Sequence, residues 1–133
     1  MSTFITQIPC EFDRHYSLKI EDDGKVAYTY LYEEEDVIGD VWLYNQQAAP
    51  ATSFWLPEDI PFLNPTEYLA KEAGIKPITS QSDIRCEWTE SNDDGSIEVG
   101  IYIRDKFIAA VAMGSKPGWS VLVVKDGPLA LIY

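Results

Sequence analysis

Histidine and cysteine, the side chains that most often bind metals or act as nucleophiles, are nearly absent from this sequence. His15 is the single histidine, so a histidine-based metal site or a Ser-His-Asp triad would have to form around it. Cys10 and Cys86 belong to no C-x-x-C pair, which argues against a zinc ribbon or a thioredoxin-like redox motif. We therefore expect two reduced, partly buried thiols.

Long hydrophobic runs are also missing. No run approaches the roughly 18 apolar residues of a membrane span. The N-terminal residues Met1, Ser2, Thr3 and Phe4 provide neither the basic region nor the apolar core of a signal peptide. We therefore expect the protein to be cytoplasmic.

Basic residues are scarce, with 10 Lys and Arg against 22 Asp and Glu and a formal net charge of −12. Such a surface repels nucleic acid phosphates and anionic membranes, so neither is an expected partner. The charge is unevenly distributed, because residues 1–98 carry 20 acids and 6 bases whereas residues 99–133 carry 2 acids and 4 bases. The acidity thus belongs to the first three quarters of the chain.

Apolar and aromatic residues, by contrast, are plentiful, at 46% and 13% of the chain. These fractions exclude a disordered chain. A length of 133 residues is typical of one domain whose core buries roughly two-thirds of the unfolded surface. The prediction is a single domain over residues 1–133.

Alternation of apolar and polar residues predicts most of the strands. Tyr16, Leu18 and Ile20, for example, share one face of a strand, and the Asp-Asp-Gly-Lys turn at residues 22–25 joins this strand to the next as a hairpin. Strands are predicted at residues 4–8, 16–21, 26–32, 37–44, 84–90, 97–104, 107–113, 119–124 and 129–133.

One short helix is predicted at about residues 65–73. Asn64 is placed to cap its first turn, Pro65 suits the first helical position, and Glu67 completes a pattern close to a capping box. Gly74 is placed to end it.

The pattern as a whole predicts an α+β fold. Its main part is an antiparallel sheet of about seven or eight strands in two meanders, residues 16–44 and 84–133, curled or half-barrel-like. The helix and a long loop at residues 45–64 pack on this sheet. A two-sheet β-sandwich is the alternative.

No cofactor or metal motif is recognisable in the glycine-containing turns. An EF-hand loop with Gly95 at its sixth position would have Ile101, rather than a bidentate Glu, at its twelfth. The Gly-Ser-Lys-Pro-Gly stretch at residues 114–118 lacks the Walker spacing and the following helix of a phosphate-binding loop. We therefore assign no catalytic residue, no metal site and no cofactor.

Aromatic and acidic residues form the candidate binding face. Tyr28, Tyr30 and Tyr32 make a same-face stripe that core packing explains slightly better than binding, and the loop at residues 45–64 either closes the core or serves in recognition. Aromatic side chains ringed by carboxylates suit a basic partner. The predicted binding residues are Trp55, Phe54, Glu33, Glu34, Glu35, Asp36, Glu58 and Asp59.

These features favour a non-catalytic acidic binding protein that acts by protein–protein interaction with, or inhibition of, a basic protein partner. In size and charge the chain is similar to small acidic bacterial immunity proteins that neutralise basic toxins; the similarity includes no diagnostic motif. The alternative is a small-molecule binder or minor enzyme that uses Asp40, Glu58, Asp59 and tyrosines in a cleft between the sheet and the loop.

Overall fold

The computed structural model describes residues 3–48, 60–71, 73–91 and 93–133. This part of the chain is mostly β-structure, arranged as one sheet of four strands and one of five. The strands are β1 (Phe4–Pro9), β2 (Tyr16–Asp22), β3 (Val26–Glu33), β4 (Asp36–Asn45), β5 (Ile84–Glu90), β6 (Ile97–Ile103), β7 (Lys106–Ala112), β8 (Trp119–Ser120) and β9 (Leu131–Ile132). The predicted, mainly antiparallel β-architecture is confirmed, with two sheets in place of one.

The first sheet is an antiparallel meander in the order β1-β2-β3-β4. Turn chemistry explains the hairpin between β2 and β3. Gly24 adopts a φ of 90°, and Asp23 Oδ1 accepts hydrogen bonds from the backbone N–H groups of Lys25 and Val26. The hairpin predicted from the Asp-Asp-Gly-Lys turn is confirmed.

The second sheet has the order β5-β6-β7-β8-β9 and is antiparallel except for the parallel β8–β9 pair. Arg104 and Asp105 form the turn between β6 and β7 with φ values of 50° and 65°, as a tight hairpin turn requires. The Arg104 guanidinium donates hydrogen bonds to the carbonyls of Lys76 and Pro77, at 2.8 Å each. These bonds fasten the connection before β5 to the β6–β7 turn.

Each sheet turns one face into a shared hydrophobic core, because successive side chains of a strand point to opposite faces. Leu18 and Leu31 are paired neighbours in the first sheet, and Val99 and Val111 are paired neighbours in the second. All four side chains are fully buried in the same cluster. The sheets therefore depend on each other for burial.

Backbone hydrogen bonds join the free edge of β4 to the segments that follow β7. The Asp40 N–H donates to the Ser115 carbonyl at 2.9 Å, and the Asp40 carbonyl accepts from the Gly118 N–H at 2.7 Å. Further along, the Trp42 N–H donates to the Leu129 carbonyl at 3.0 Å. Strand β4 is thus bonded along both of its edges.

The helix predicted over residues 65–73 is wrong for the described part of that segment. A single 3₁₀ turn, Thr66–Tyr68, is present, and Leu69 is already extended at φ −89° and ψ 140°. Asn64 caps no helix; its N–H donates to Asn45 Oδ1, and its carbonyl accepts from Asn45 Nδ2. The helical part of the α+β prediction is therefore not confirmed.

Pairing with the C-terminal segment explains this outcome. Leu69 forms an antiparallel bridge with Val123, and the Ala70 N–H donates to the Leu122 carbonyl at 2.7 Å. A short isolated helix has little stability of its own, so these tertiary contacts override the local capping signal.

The last two predicted strands are shorter than expected. Of residues 119–124 only Trp119–Ser120 pairs as a strand, because the Ser120 hydroxyl then accepts the Leu122 N–H and turns the chain. Of residues 129–133 only Leu131–Ile132 pairs.

A buried carboxylate network ties β2 to β4. Asp22 is 1% exposed, and its carboxylate accepts hydrogen bonds from the Tyr44 hydroxyl at 2.6 Å, from Gln46 Nε2 at 2.7 Å and from the Gly24 N–H at 2.9 Å. The Tyr44 hydroxyl also accepts the Ile78 N–H at 3.0 Å. Because each of these donors and acceptors has a partner, the network compensates for the loss of hydration.

We expect Gly39→Ala to destabilise the fold by about 1–3 kcal/mol, as overpacking does. A Cβ at Gly39 would lie 2.7 Å from the Ala112 carbonyl oxygen and 2.9 Å from Val111 Cγ2, where β4 meets β7. Urea unfolding measures the loss. Gly74→Ala is the control, because its added Cβ has no atom within 4 Å; equal losses in the two variants would contradict the packing of β4 on β7.

We expect Tyr44→Phe to lower the free energy of unfolding by about 1–3 kcal/mol, because it removes one donor to buried Asp22 and orphans the buried Ile78 N–H. Tyr102→Phe removes only an exposed hydroxyl that donates to Glu87 at 3.3 Å, and it should change stability by less than about 0.5 kcal/mol. Indistinguishable urea midpoints for the two variants would argue against the network.

Candidate functional site

Four consecutive acids form the tip of the β3–β4 hairpin, and we call them the acidic tip: Glu33, Glu34, Glu35 and Asp36. Glu33 and Asp36 are cross-strand partners, and Glu34 takes a φ of 54° in the turn between them. The Glu34 N–H donates to the His15 carbonyl at 2.6 Å, which fastens the tip to the loop before β2. Glu34, Glu35 and Asp36 are exposed.

In the described ranges, no lysine or arginine forms an ion pair with the acidic tip. Among the residues that the structure describes, the ion pairs of lysine and arginine go to other carboxylates, namely Glu21, Glu67, Asp83, Glu87 and Asp105. Four carboxylates within one turn repel each other, and their field extends roughly 8–10 Å at physiological ionic strength. The tip is therefore a local source of negative potential.

His15 lies next to this tip and responds to it. Its Nδ1 is 2.8 Å from Asp13 Oδ1, and this hydrogen bond raises the pKa of His15, with smaller contributions from the charges of Asp13, Glu34 and Glu33. An ionised carboxylate only accepts, so Nδ1 carries the proton. The backbone and side-chain hydrogen bonds from His15 in turn lower the pKa of Asp13.

The outer face of the same hairpin carries the tyrosine stripe. Tyr28 is 8% exposed and donates a hydrogen bond from its hydroxyl to the Phe62 carbonyl, whereas Tyr30 and Tyr32 are half-buried. The Tyr28 and Tyr30 rings stack with centroids 6.2 Å apart and an interplanar angle of 20°. The stripe is thus covered at the Tyr28 end and partly open towards the acidic tip.

A cleft opens beside these rings, and we call it the tyrosine cleft. Its volume is about 220 Å³. The lining residues are Tyr28, Tyr30, Asp40, Ile60, Pro61, Phe62, Pro128 and Leu129. Strands β3 and β4 supply its floor, and two segments far apart in sequence supply its walls.

Asp40 is the charged group of the tyrosine cleft. Desolvation raises its pKa, and the positive charge of Lys116 acts in the opposite direction without forming an ion pair. Within the described ranges, no hydrogen bond or ion pair reaches the Asp40 carboxylate. Burial also raises the pKa of Tyr30 to about 12. A half-buried carboxylate without a donor beside neutral aromatic rings is a site that favours a cation.

The structure brings together only some of the predicted site residues. Glu33, Glu34, Glu35 and Asp36 lie together at one tip. Trp55, Phe54, Glu58 and Asp59 lie outside the described residues, so their role in the binding face stays a prediction.

Asp40 and the tyrosines, named from the sequence for a cleft between sheet and loop, do line one cleft with Phe62. The sequence did not predict that Pro128 and Leu129 line the cleft, because no local sequence pattern indicates that the last segment of the chain pairs with β4.

Both cysteines are free; Cys10 is buried, and burial raises the pKa of the Cys86 thiol to about 12. In the described ranges, no three His, Cys, Asp or Glu side chains are grouped so as to hold a metal ion. Nor does this part of the chain contain a helix long and apolar enough to cross a membrane. Protein-family models, curated proteins and solved structures all give no match to this chain.

We expect the pKa of His15 to lie above the ordinary value of 6.5 and to fall towards it in Asp13→Asn. Because the folded-state value is the higher one, the pair stabilises the fold below pH 6.5, and this contribution is lost as the pH rises through the folded-state pKa. Because His15 is the single histidine, an NMR titration of the imidazole signals measures its pKa without ambiguity of assignment. Glu98→Gln, on the other sheet, is the control, and a His15 pKa insensitive to Asp13→Asn would refute the interaction.

Proposed function

We propose that this protein is a non-catalytic acidic binding protein that acts by protein–protein interaction with, or inhibition of, a basic protein partner, which it engages through the acidic tip. The observation that carries this proposal is the acidic tip itself, four carboxylates at one hairpin end to which no described lysine or arginine is paired. A positively charged surface would relieve the repulsion within the tip. It would also be steered to the tip by the net charge of −12.

The position of the tip supports recognition. Strands β3 and β4 are anchored in the core by Leu31 and Val41, so the turn between them projects from a rigid base. Its contact with the His15 carbonyl limits the freedom of Glu34. Preorganised charges lose less conformational entropy on binding than flexible ones do.

A small-molecule binder or minor enzyme built on the tyrosine cleft is the alternative. The cleft volume of about 220 Å³ is below the roughly 300–1,000 Å³ of typical small-molecule pockets. This difference in size counts against the tyrosine cleft as a small-molecule site.

We expect replacement of all four tip acids by their amides, E33Q/E34Q/E35Q/D36N, to weaken partner binding roughly fourfold to 900-fold at low salt, since each exposed ion pair contributes about 0.2–1 kcal/mol. The wild-type protein is immobilised, basic proteins retained from a lysate of the source cells are identified by mass spectrometry, and their affinities are measured by biolayer interferometry at rising salt. Wild-type affinity should fall steeply with salt, whereas that of the variant should change little.

The matched control removes the same charge elsewhere. Asp93, Glu98, Asp105 and Asp126 belong to the second half of the chain, and their replacement by amides changes the net charge by the same four units. This control should retain most of the affinity. If it loses as much as the tip variant, net charge alone governs binding; if the tip variant retains wild-type affinity, the proposal fails.

A further inference from the structure

The carboxylate of Asp40 is half-buried on the outer face of the hairpin and lacks a described hydrogen-bond donor. Its backbone N–H and carbonyl are bonded to Ser115 and Gly118, which fixes the residue, yet no donor contacts its side chain among the residues that the structure describes. Lys116 is near enough to act on Asp40 electrostatically but forms no ion pair with it. Lys19, on the same face, is paired with Glu21 at 3.5 Å. The cleft thus contains a negative charge that no described side chain pairs with.

Aromatic rings surround this carboxylate. Tyr30 is its cross-strand neighbour in the β3–β4 pair, and Tyr28 stacks on Tyr30 at 6.2 Å. Rings of this kind attract a cation held within about 6 Å of the ring centroid, and more strongly where water is partly excluded. Carboxylate and rings together select a positively charged group that has an apolar stem.

The dimensions and position of the cleft favour a side chain of a protein over a free ligand. Its volume of about 220 Å³ is small for a metabolite pocket. Tyr30 lies three residues from Glu33 along β3, a distance of roughly 10 Å. One basic surface therefore contacts the acidic tip and the cleft at the same time.

We propose that the tyrosine cleft binds the ammonium or guanidinium group of a lysine or arginine side chain presented by the basic partner. In this arrangement Asp40 forms the ion pair, and Tyr28 and Tyr30 contact the side-chain stem and the cation. The inference rests on the proposed function for the identity of the partner. It assigns a second contact, distinct from the acidic tip, that discriminates among basic surfaces by shape.

The test uses blocked single amino acids as probes of the full-length protein. N-acetyl-lysine methylamide and N-acetyl-arginine methylamide are titrated while ¹⁵N and aromatic NMR signals are followed. N-acetyl-norleucine methylamide and N-acetyl-citrulline methylamide are the uncharged counterparts. The cationic probes should shift the signals of Tyr30, Asp40 and Leu129 in a saturable manner, and the uncharged probes should bind at least about fivefold more weakly.

Two substitutions separate charge from ring. Asp40→Asn keeps the shape of the side chain and should weaken binding of the cationic probes about tenfold, as expected for loss of a charged hydrogen bond. Tyr30→Leu should weaken it severalfold, whereas Tyr30→Phe should retain it, because the ring and not the hydroxyl contacts the cation. Glu98→Gln is the control for net charge and should have no effect.

Several outcomes would overturn the inference. If the uncharged probes bind as well as the cationic ones, the cleft recognises apolar groups and does not select a cation. Unchanged binding in Asp40→Asn, or an absence of shifts at Tyr30 and Asp40, would show that the carboxylate receives no external cation. If Lys116 and Asp40 form an ion pair in solution, Lys116→Met removes it and increases probe binding. That result would show that Asp40 binds the chain's own lysine and not a side chain of the partner.

The failure of this inference is distinguishable from that of the proposed function. The tip variant E33Q/E34Q/E35Q/D36N should bind the cationic probes within about twofold of the wild type, because single exposed charges at this distance are largely screened. If the cationic probes do not bind while the tip variant still has reduced affinity for the partner, only the inference about the cleft is overturned. If the cationic probes bind while the tip variant retains wild-type affinity for the partner, only the proposed role of the acidic tip is overturned.

Discussion

Strand β4 is hydrogen-bonded along both edges, to β3 on one side and to the 114–118 segment and Leu129 on the other. This double pairing fixes how the two sheets meet, and it is possible because Gly39 lets the strand approach Val111 and Ala112 closely. It also leaves β4 without an open edge along this stretch, so the strand offers no template there for pairing with another chain.

The candidate site follows from the same junction. Val41 occupies the inner face of β4, so Asp40 must face outwards, and the bonds of its backbone to Ser115 and Gly118 hold it in place. The Trp42–Leu129 hydrogen bond brings the C-terminal segment alongside, where Leu129 becomes one wall of the tyrosine cleft. The contacts that stabilise the fold therefore also create the concave surface beside the hairpin.

Strands that alternate polarity between clear turns were predictable from the sequence, because local pattern and tertiary burial agree there; β2, β5 and β6 are examples. Residues 65–73 were not predictable, since the capping signal is local whereas the Leu69–Val123 bridge is not. The same limit applies to the site. The acidic tip was visible as a charge run, but the cleft required the return of Leu129 to β4, which no short-range pattern encodes.

Two carboxylates of the first sheet, those of Asp22 and Asp40, differ in how completely they are hydrogen-bonded. Asp22 is almost fully enclosed and receives donors from Tyr44, Gln46 and Gly24. Asp40 is half-buried and receives no side-chain donor from the described residues, so desolvation disfavours its charged form and the nearby charge of Lys116 offsets that cost only in part. Among the described residues the more deeply buried carboxylate is fully hydrogen-bonded and the outer one is not, and this difference is why we propose that a partner's cation binds Asp40.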